Sequence, residues 1–170
     1  SAIIQKNTEE LMQLVNDVLD LSRLEANMMK FQIQEYDAVA LCNDAIYMAR
    51  MRNEETIEIY FDTHIETQPI TTDTGRLIQA LVSTLTYPQK NTAHREITFT
   101  LTRDDSGKQI CFRISNSPLA DPEFNSQEVS IRHDINRLLL QHFGGSYNIT
   151  ADEQERPVIN FTYPLDIISE

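Results

Sequence analysis

Residues 135–149 read INRLLLQHFGGSYNI, a run of apolar residues at helical spacing followed by two glycines and an alternating segment. Glycine directly after a helical stripe is typical of a helix C-terminus, because it adopts the left-handed conformation without a steric penalty. The alternation that starts at residue 146 predicts a strand at 146–150. We therefore predict a helix from about 129 to 143 that leads directly into a strand.

Strands and helices are mixed along the rest of residues 31–163. Alternating apolar residues predict further strands at 31–35, 57–61, 95–102, 109–115 and 157–163. Asp37 and Asp73 have the residue type and position of N-caps, for helices at about 38–52 and 75–86. This order of elements predicts an α+β two-layer sandwich with a mixed sheet and its helices on one face.

The N-terminal segment has a different pattern. From about residue 3 to 29, apolar residues recur at spacings of three, four and seven, which is the heptad seam of a helical bundle. The seam residues, which we expect to form a dimer interface, are Ile4, Leu11, Leu14, Val18, Leu21 and Met28. Further apolar residues widen the stripe and favour a bundle of more than two helices. The alternative is a simple amphipathic helix that packs on its own domain.

Composition limits the possible function classes. The chain has 26 acidic and 14 basic side chains, a net charge of −12, which does not favour binding to nucleic acid. Cys42 and Cys111 belong to no metal-binding cluster, and both are expected to be buried reduced thiols. No segment has the roughly 20 apolar residues of a membrane span. The four histidines stand in no catalytic or metal-binding motif, so we expect neither a catalytic residue nor a metal ligand.

Four segments together resemble the kinase core of bacterial sensor histidine kinases of two-component systems. LVNDVLDLSRLEA at 14–26 is similar to the second helix of their dimerisation and phosphotransfer domain, and KFQIQEYDAVALCNDAI at 30–46 to the entry into their GHKL-type ATP-binding domain. TDTGRLIQALV at 72–82 is similar to the start of the helix that carries the magnesium-binding asparagines, and 135–149 to the helix and strand after the ATP lid. The resemblance implies a partial dimerisation domain at 1–30 and an ATP-binding domain at 31–170.

The positions that bind nucleotide in this family carry other residues here. In the register of the resemblance, Ser83 and Tyr87 stand where the family has two asparagines, whose amide oxygens suit magnesium. Asn116 and Pro118 replace the aspartate and the first glycine of the adenine-binding D-x-G-x-G turn. Arg132 stands in the glycine box whose backbone amides wrap the phosphates. With Lys90 as the other nearby cation, the altered nucleotide positions are Ser83, Tyr87, Lys90, Asn116, Pro118 and Arg132.

The resemblance implies signal transduction by phosphoryl transfer in a phosphorelay, with ATP and Mg²⁺ as the family's cofactors and a phosphoacceptor histidine upstream of Ser1. Because the nucleotide positions are altered, the leading hypothesis is a degenerate, pseudokinase-like core that dimerises and docks, with no bound cofactor. One alternative is an active protein-histidine kinase whose atypical nucleotide site uses Asn116, Ser83 and Lys90. Another is a free-standing dimeric interaction module.

The resemblance also implies partners and a location. A second copy of the chain is expected to bind through the N-terminal helix, and a response-regulator receiver domain is a further expected partner. No nucleic acid is expected to bind. The resemblance places this part of the protein in the cytoplasm and the full-length protein at the inner membrane of a bacterium, which it would reach only through upstream regions.

Overall fold

The computed structural model describes residues 2–54 and 56–165, without the side chains of Lys6 and Asn7. In chain order its elements are helix α1 (Ala2–Glu25), strand β1 (Ile33–Asp37), helix α2 (Ala38–Asn53), strands β2 (Ile57–Thr63) and β3 (Pro69–Asp73), helix α3 (Thr74–Thr84), strands β4 (Arg95–Arg103) and β5 (Gln109–Ser115), helix α4 (Gln127–His142), and strands β6 (Ser146–Ala151) and β7 (Pro157–Pro164). Two 3-10 turns, Pro118–Ala120 and Pro122–Phe124, lie between β5 and α4. Residue 1 and residues 166–170, the outer ends of the two predicted domains, lie outside the described residues.

Five strands form one mixed sheet in the order β2-β4-β5-β7-β6. β2 pairs with β4 in parallel, and the other neighbours are antiparallel. The inward side chains of β4 and β5 are fully buried, namely Ile97, Phe99, Leu101, Ile110, Phe112 and Ile114. Glu96, Thr98 and Thr102 on the other face of β4 are exposed. One face is thus apolar and the other polar, so the helices cover a single face. The predicted α+β two-layer sandwich is confirmed.

β1 and β3 form a separate two-stranded antiparallel sheet. β3 was not predicted, because this strand has only five residues, begins with Pro69 and continues directly into α3. Asp37 at the end of β1 caps α2, as predicted, through bonds from Val39 N and Ala40 N at 3.3 and 3.2 Å. Burial opposes its ionisation, but these bonds and one from Gln68 N outweigh burial and lower the pKa of Asp37.

Two helices end earlier than predicted. α1 ends at Glu25, because Asn27 adopts a φ of 56° and Met28 N donates to Arg23 O at 2.7 Å, which closes a Schellman motif. Met28 therefore lies beyond the helix. α3 ends at Thr84, before Tyr87 and Pro88. None of the described helices is long and apolar enough to cross a membrane.

The two cysteines are free and differ in burial. Cys42 on α2 is fully buried, as predicted, whereas Cys111 on β5 is only half-buried, which the prediction of two buried thiols did not foresee. Cys111 belongs to the outward-facing residues of β5, and only the inward face of this strand is covered by helices. Burial raises the pKa of both thiols.

Helix α4 ends at the two glycines of the quoted stretch. Gly144 has a φ of 84°, and its N–H donates to Gln141 O at 3.0 Å. Gly145 N donates to Leu140 O at 2.8 Å, which completes a Schellman motif. The glycine C-cap predicted from the sequence is confirmed.

Replacement of Gly145 by alanine is expected to destabilise the domain. A Cβ atom at this position would lie 2.0 Å from the Thr162 carbonyl oxygen in the backbone of β7. Overpacking of this kind costs about 1 to 3 kcal/mol, which corresponds to a fall of roughly 2 to 12 °C in Tm for a chain of this size. Thermal unfolding followed by circular dichroism measures this change. Gly75→Ala, with its nearest atom at 3.7 Å, is the control. Equal shifts in the two variants would contradict the prediction.

Candidate functional site

The C-terminus of α3 is bound by side chains from other elements. Thr84 O accepts a hydrogen bond from Ser117 Oγ at 2.6 Å, and Leu85 O accepts one from Asn53 Nδ2 at 2.9 Å. A helix end leaves such carbonyl groups without partners inside the helix. The two bonds therefore attach the loop after β5 and the last residue of α2 to the end of α3.

The loop between β5 and α4 is packed against the domain. Ser117 and Pro118 are buried, and Leu119 belongs to the hydrophobic core. Phe124 in the second 3-10 turn is only 3% exposed. Residues 116–126 therefore cover the end of α3 instead of standing away from it as a separate lid.

Asn116 is held by the first residues of β4. Arg95 Nη1 donates to Asn116 O at 3.0 Å and to Asn116 Oδ1 at 3.1 Å. Asn116 Nδ2 donates to Glu96 O at 2.9 Å. Asn116 has a φ of 66°, a left-handed conformation that asparagine tolerates better than most residues. Both polar ends of the Asn116 side chain are thus bound within the protein.

The guanidinium of Arg95 also contacts the loop and the segment after α3. Its Nη2 forms an ion pair with Asp121. Its Cζ lies 5.7 Å from the centroid of the Tyr87 ring and 6.0 Å from that of Phe124, and the two rings pack edge to face at 5.5 Å. We call Arg95, Asn116, Asp121, Tyr87 and Phe124 the Arg95 clasp. It joins β4, the loop and the residues after α3 in one contact.

Asp121 is the charged partner in the clasp. Burial opposes its ionisation, but a hydrogen bond from Glu123 N at 2.9 Å and the hydrogen bond and charge of Arg95 outweigh burial. The pKa of Asp121 therefore lies below its ordinary value. The carboxylate is ionised at neutral pH, so the ion pair is intact there.

Ser83 belongs to a polar contact between α3 and α4. Its Oγ donates to Ala80 O at 2.6 Å and accepts a hydrogen bond from Asn136 Nδ2 at 3.1 Å. Asn136 is fully buried. The Ser83 hydroxyl thus has a donor and an acceptor within the protein.

His133 on α4 links the loop to β6. Leu119 O can only accept, so His133 Nε2, 3.0 Å away, carries the proton, and His133 Nδ1 accepts from Tyr147 OH at 2.7 Å. Burial lowers the pKa of His133 and raises the pKa of Tyr147 to about 12. A neutral imidazole therefore connects the loop, through Nε2, to β6, through Nδ1.

Arg132 is bound to helix α1. Its Nη2 donates to Asp17 Oδ1 at 2.6 Å, and the two side chains are 10% and 11% exposed. Gln13 Nε2 donates to the same oxygen at 2.8 Å. A second ion pair, Arg76 Nη1 to Asp20 Oδ2 at 2.9 Å, joins α3 to α1. The cation that the sequence places at the phosphate position is thus paired with a carboxylate of the N-terminal helix.

The segment between α3 and β4 carries the remaining predicted positions. Lys90 is exposed, and the half-buried Tyr87 donates its hydroxyl to Ala93 O at 2.7 Å. An open depression of about 440 Å³ has Tyr87, Arg95 and Asn116 in its lining. The structure therefore brings Tyr87 and Asn116 together at one depression. Ser83 instead contacts α4, and Arg132 contacts α1.

The predicted dimer residues differ in exposure. Leu11 and Val18 are 60% and 43% exposed on α1, whereas Leu14 and Leu21 are half-buried. Ile4 is 67% exposed near the start of α1, and Met28 is 71% exposed beyond its end. The helix thus presents an apolar stripe that the described part of this chain does not cover.

Among the described residues, one group that was not predicted from the sequence could hold a metal ion. Ligand atoms of Glu58, His94 and Glu96 lie within 4.8 Å of one another, and all three residues are exposed. Parallel pairing of β2 with β4 sets Glu58 directly beside Glu96. Residues this far apart in sequence form no recognisable motif.

The partners of the predicted positions were also not predicted. Asp17 and Asp20 are three residues apart and interrupt an otherwise apolar segment. This spacing could have indicated a charged face on α1. Arg95 gives no such signal, because its partners Asn116 and Asp121 lie 21 and 26 residues away.

Several solved structures that are similar to this chain are histidine kinases. Full-length ShkA in complex with AMPPNP matches 99% of this chain and 39% of its own, with a TM-score of 0.76 and 20% identity. Acinetobacter baumannii AdeS matches 97% of this chain and 83% of its own, with a TM-score of 0.73 and 14% identity. The chain has the fold of a sensor histidine kinase core. The catalytic domain of ThkA matches 79% of this chain and 99% of its own at 16% identity, with a TM-score of 0.64. At these identities the likeness shows the kinase-core fold and not an activity.

A curated sequence relative is also a histidine kinase. Hybrid signal transduction histidine kinase A of Dictyostelium discoideum is 26% identical over 104 residues, which is 61% of this chain. The chain spans 5% of the length of that relative. No protein-family model matches the chain. The resemblance to sensor histidine kinases is confirmed, whereas the bacterial source stays a prediction.

The Arg95 clasp predicts a pH-dependent effect of Asp121→Asn. Because the pKa of Asp121 is lowered in the folded state, its contribution to stability is present above the unfolded-state value of about 4 and is lost as pH falls below it. We expect Asp121→Asn to lower the free energy of unfolding at pH 7, and the difference from the parent to shrink toward pH 3. Urea unfolding at several pH values measures this difference.

The matched control is Asp105→Asn, which changes an exposed carboxylate in the turn between β4 and β5. It should leave the free energy of unfolding close to that of the parent. A loss of stability in Asp121→Asn that is the same at pH 7 and pH 3 would rule out the ion pair as its cause.

Proposed function

We propose that this chain is the kinase core of a two-component sensor histidine kinase in which ATP binding is lost or impaired, and that it works as a dimerisation and docking element. The supporting observation is that side chains at the predicted nucleotide positions are bound to other parts of the chain. Arg132 binds Asp17, and Asn116 binds Arg95. A nucleotide would have to break these contacts before it could form its own.

The predicted magnesium positions support the same proposal. A hard divalent ion prefers oxygen ligands such as amide carbonyls and carboxylates. Ser83 offers a hydroxyl that is bonded to Ala80 O and Asn136 Nδ2, and the Tyr87 hydroxyl is bonded to Ala93 O. These residues do not fit Mg²⁺ and a triphosphate as a pair of asparagines would. We therefore derive no phosphoryl-transfer step for this chain.

The expected loss of electrostatic stabilisation in phosphoryl transfer also favours a core without kinase activity. Phosphoryl transfer depends on positioning and on electrostatic stabilisation of the transferred group. One oriented donor can be worth roughly 3 kcal/mol, which is a factor of roughly 150 in rate. Changes at the magnesium, adenine and phosphate positions act on the same step, so their combined effect is larger than that of any one of them.

A second candidate is an active protein-histidine kinase with an atypical nucleotide site. The observation that favours it is the open depression of about 440 Å³ lined in part by Tyr87 and Asn116. Ligand pockets typically have volumes of about 300 to 1,000 Å³. In this alternative Asn116, Ser83 and Lys90 would bind ATP, and the phosphoryl group would pass to a histidine outside residues 1–170.

We also propose two partners. One is a second copy of the chain, which would cover the exposed apolar residues Leu11 and Val18 of α1. The other is a response-regulator receiver domain. Its precedent is the structure of ThkA in complex with the response regulator protein TrrA, which matches 96% of this chain with a TM-score of 0.69 and 15% identity. In this proposal the core lies in the cytoplasm and the full-length protein at the inner membrane of a bacterium.

Calorimetric titration of ATP with Mg²⁺ tests the loss of nucleotide binding. We expect no heat of binding up to about 1 mM nucleotide, which means a binding free energy weaker than about −4 kcal/mol. ShkA, whose structure contains AMPPNP, is the positive control. Micromolar binding by this chain would overturn the proposal. If Lys90→Ala then weakened that binding, the second candidate would be favoured.

Sedimentation equilibrium tests the dimer. The double variant Leu11→Asp with Val18→Asp should be monomeric at concentrations where the parent is a dimer, because it places two charges in the apolar seam. Both residues are exposed in the single chain, so the domain should still fold. Asn16→Asp adds a charge to α1 outside the seam and should leave the dimer mass unchanged. A dimeric double variant, or a monomeric parent, would exclude this interface.

A further inference from the structure

Two neighbouring strands place two carboxylates side by side on the exposed face of the sheet. β2 and β4 pair in parallel, and this register sets Glu58 directly beside Glu96. Like charges side by side on neighbouring strands repel each other. In the described part of the chain, no lysine or arginine forms an ion pair with either carboxylate. The two negative charges are therefore held together without a compensating cation from those residues.

His94 adds an imidazole to this pair of carboxylates. It directly precedes β4, and its Nε2 lies 3.7 Å from Glu96 Oε2. Ligand atoms of Glu58, His94 and Glu96 all lie within 4.8 Å of one another. In a tetrahedral zinc site with bonds of about 2.0 to 2.2 Å, neighbouring ligand atoms are roughly 3.3 Å apart. Small side-chain rotations are thus enough to bring the three groups to coordination distance.

Tyr60 orients one of the carboxylates. It lies two residues after Glu58 on the same face of β2, and its hydroxyl donates to Glu58 Oε2 at 2.5 Å. This bond, together with the charges of Glu58 and Glu96, raises the pKa of Tyr60. A hydrogen bond to one oxygen of a carboxylate fixes its direction and leaves the other oxygen for a metal ion. The hydroxyl of Tyr60 therefore has the position of a group that supports a metal ligand.

The chemistry of the three groups selects the kind of ion. Imidazole suits zinc, iron, nickel and copper, whereas magnesium and calcium take oxygen ligands. We propose that Glu58, His94 and Glu96 bind a divalent transition-metal ion, with Zn²⁺ as the best match, because zinc is commonly held by three protein ligands and a water molecule. None of the three belongs to the predicted nucleotide positions, so this site depends on neither ATP nor kinase activity.

A metal ion at this site would connect parts of the chain that are distant in sequence. Glu58 belongs to the edge strand β2, and His94 ends the segment between α3 and β4. Ala93, the neighbour of His94, accepts the hydrogen bond from the Tyr87 hydroxyl at 2.7 Å. Tyr87, His94 and Glu96 also line the same depression of about 440 Å³. Metal bound by His94 therefore also restrains Tyr87 and, through it, the Arg95 clasp.

Calorimetric titration of ZnCl₂ into the metal-free chain, without nucleotide, tests the site. We expect binding with a Kd below about 100 μM. Glu58→Gln, His94→Ala and Glu96→Gln should each weaken this binding at least tenfold, because each variant removes one ligand. All three side chains are exposed, so the variants should keep the circular dichroism spectrum of the parent.

Two controls change the same residue types outside the cluster. His64→Ala and Glu153→Gln alter exposed side chains and should keep the affinity of the parent. Mg²⁺ should bind at least tenfold more weakly than Zn²⁺, because a site with an imidazole ligand does not suit it. A weaker Kd in the parent, a loss smaller than tenfold in any cluster variant, equal losses in the controls, or Mg²⁺ binding within tenfold of Zn²⁺ would each overturn the proposal.

Thermal unfolding gives an independent measurement. The ligands come from different strands, so the folded chain binds the ion better than the unfolded chain does. At a free Zn²⁺ concentration of 100 times Kd, Tm should rise by roughly 5 to 11 °C. An equal rise in His94→Ala would show binding elsewhere and contradict the proposal. Since no nucleotide is present, failure of the metal site is distinguishable from failure of the proposal on ATP binding.

Discussion

Helix α3 stops at Thr84, ahead of Pro88, and its last carbonyl groups then need partners that a longer helix would have supplied. Thr84 O accepts a hydrogen bond from the hydroxyl of Ser117, and Leu85 O accepts one from the side-chain amide of Asn53. Because Ser117 must lie on the end of α3, the loop after β5 is drawn onto the domain. The burial of Phe124 beside Tyr87 follows from this placement. The shape of the candidate site is thus set by where one helix ends.

The fold could be predicted from the sequence where the cause is local. Asp37 and Asp73 cap their helices, and Gly144 ends α4, because each of these needs only a residue type beside an apolar pattern. β3 could not be predicted in this way. It has five residues, and its ladder partner β1 lies more than 30 residues earlier in the chain.

The candidate site was predictable as a set of positions and not as a set of contacts. The resemblance placed Asn116 and Arg132 at nucleotide positions, but it gave no partner for either. Arg132 binds a residue 115 positions away, and Arg95 binds residues 21 and 26 positions away. No periodicity in the sequence connects such residues. Their contacts appear only when the sheet and the helices are assembled.

The negative net charge of the chain affects how an anionic ligand would meet the predicted nucleotide positions. Basic side chains are outnumbered, 14 against 26, and three of the arginines discussed above pair with aspartates. A polyphosphate would meet a net negative field at long range and, in Arg95 and Arg132, cations that already have partners at short range. Both effects act against an anionic ligand. The same pairs are also the contacts that fix the loop and α1, so a cation could be freed only if one of these elements moved.

Helix α1 carries two faces of different chemistry. Asp17 and Asp20 face the domain, and Leu11 and Val18 lie on an exposed apolar stripe. Separation of an apolar interface exposes carbon to water and costs free energy in proportion to its area. Separation of the charged face returns ionised groups to water and costs far less. The two faces of α1 therefore differ in how much free energy their separation from a partner surface costs.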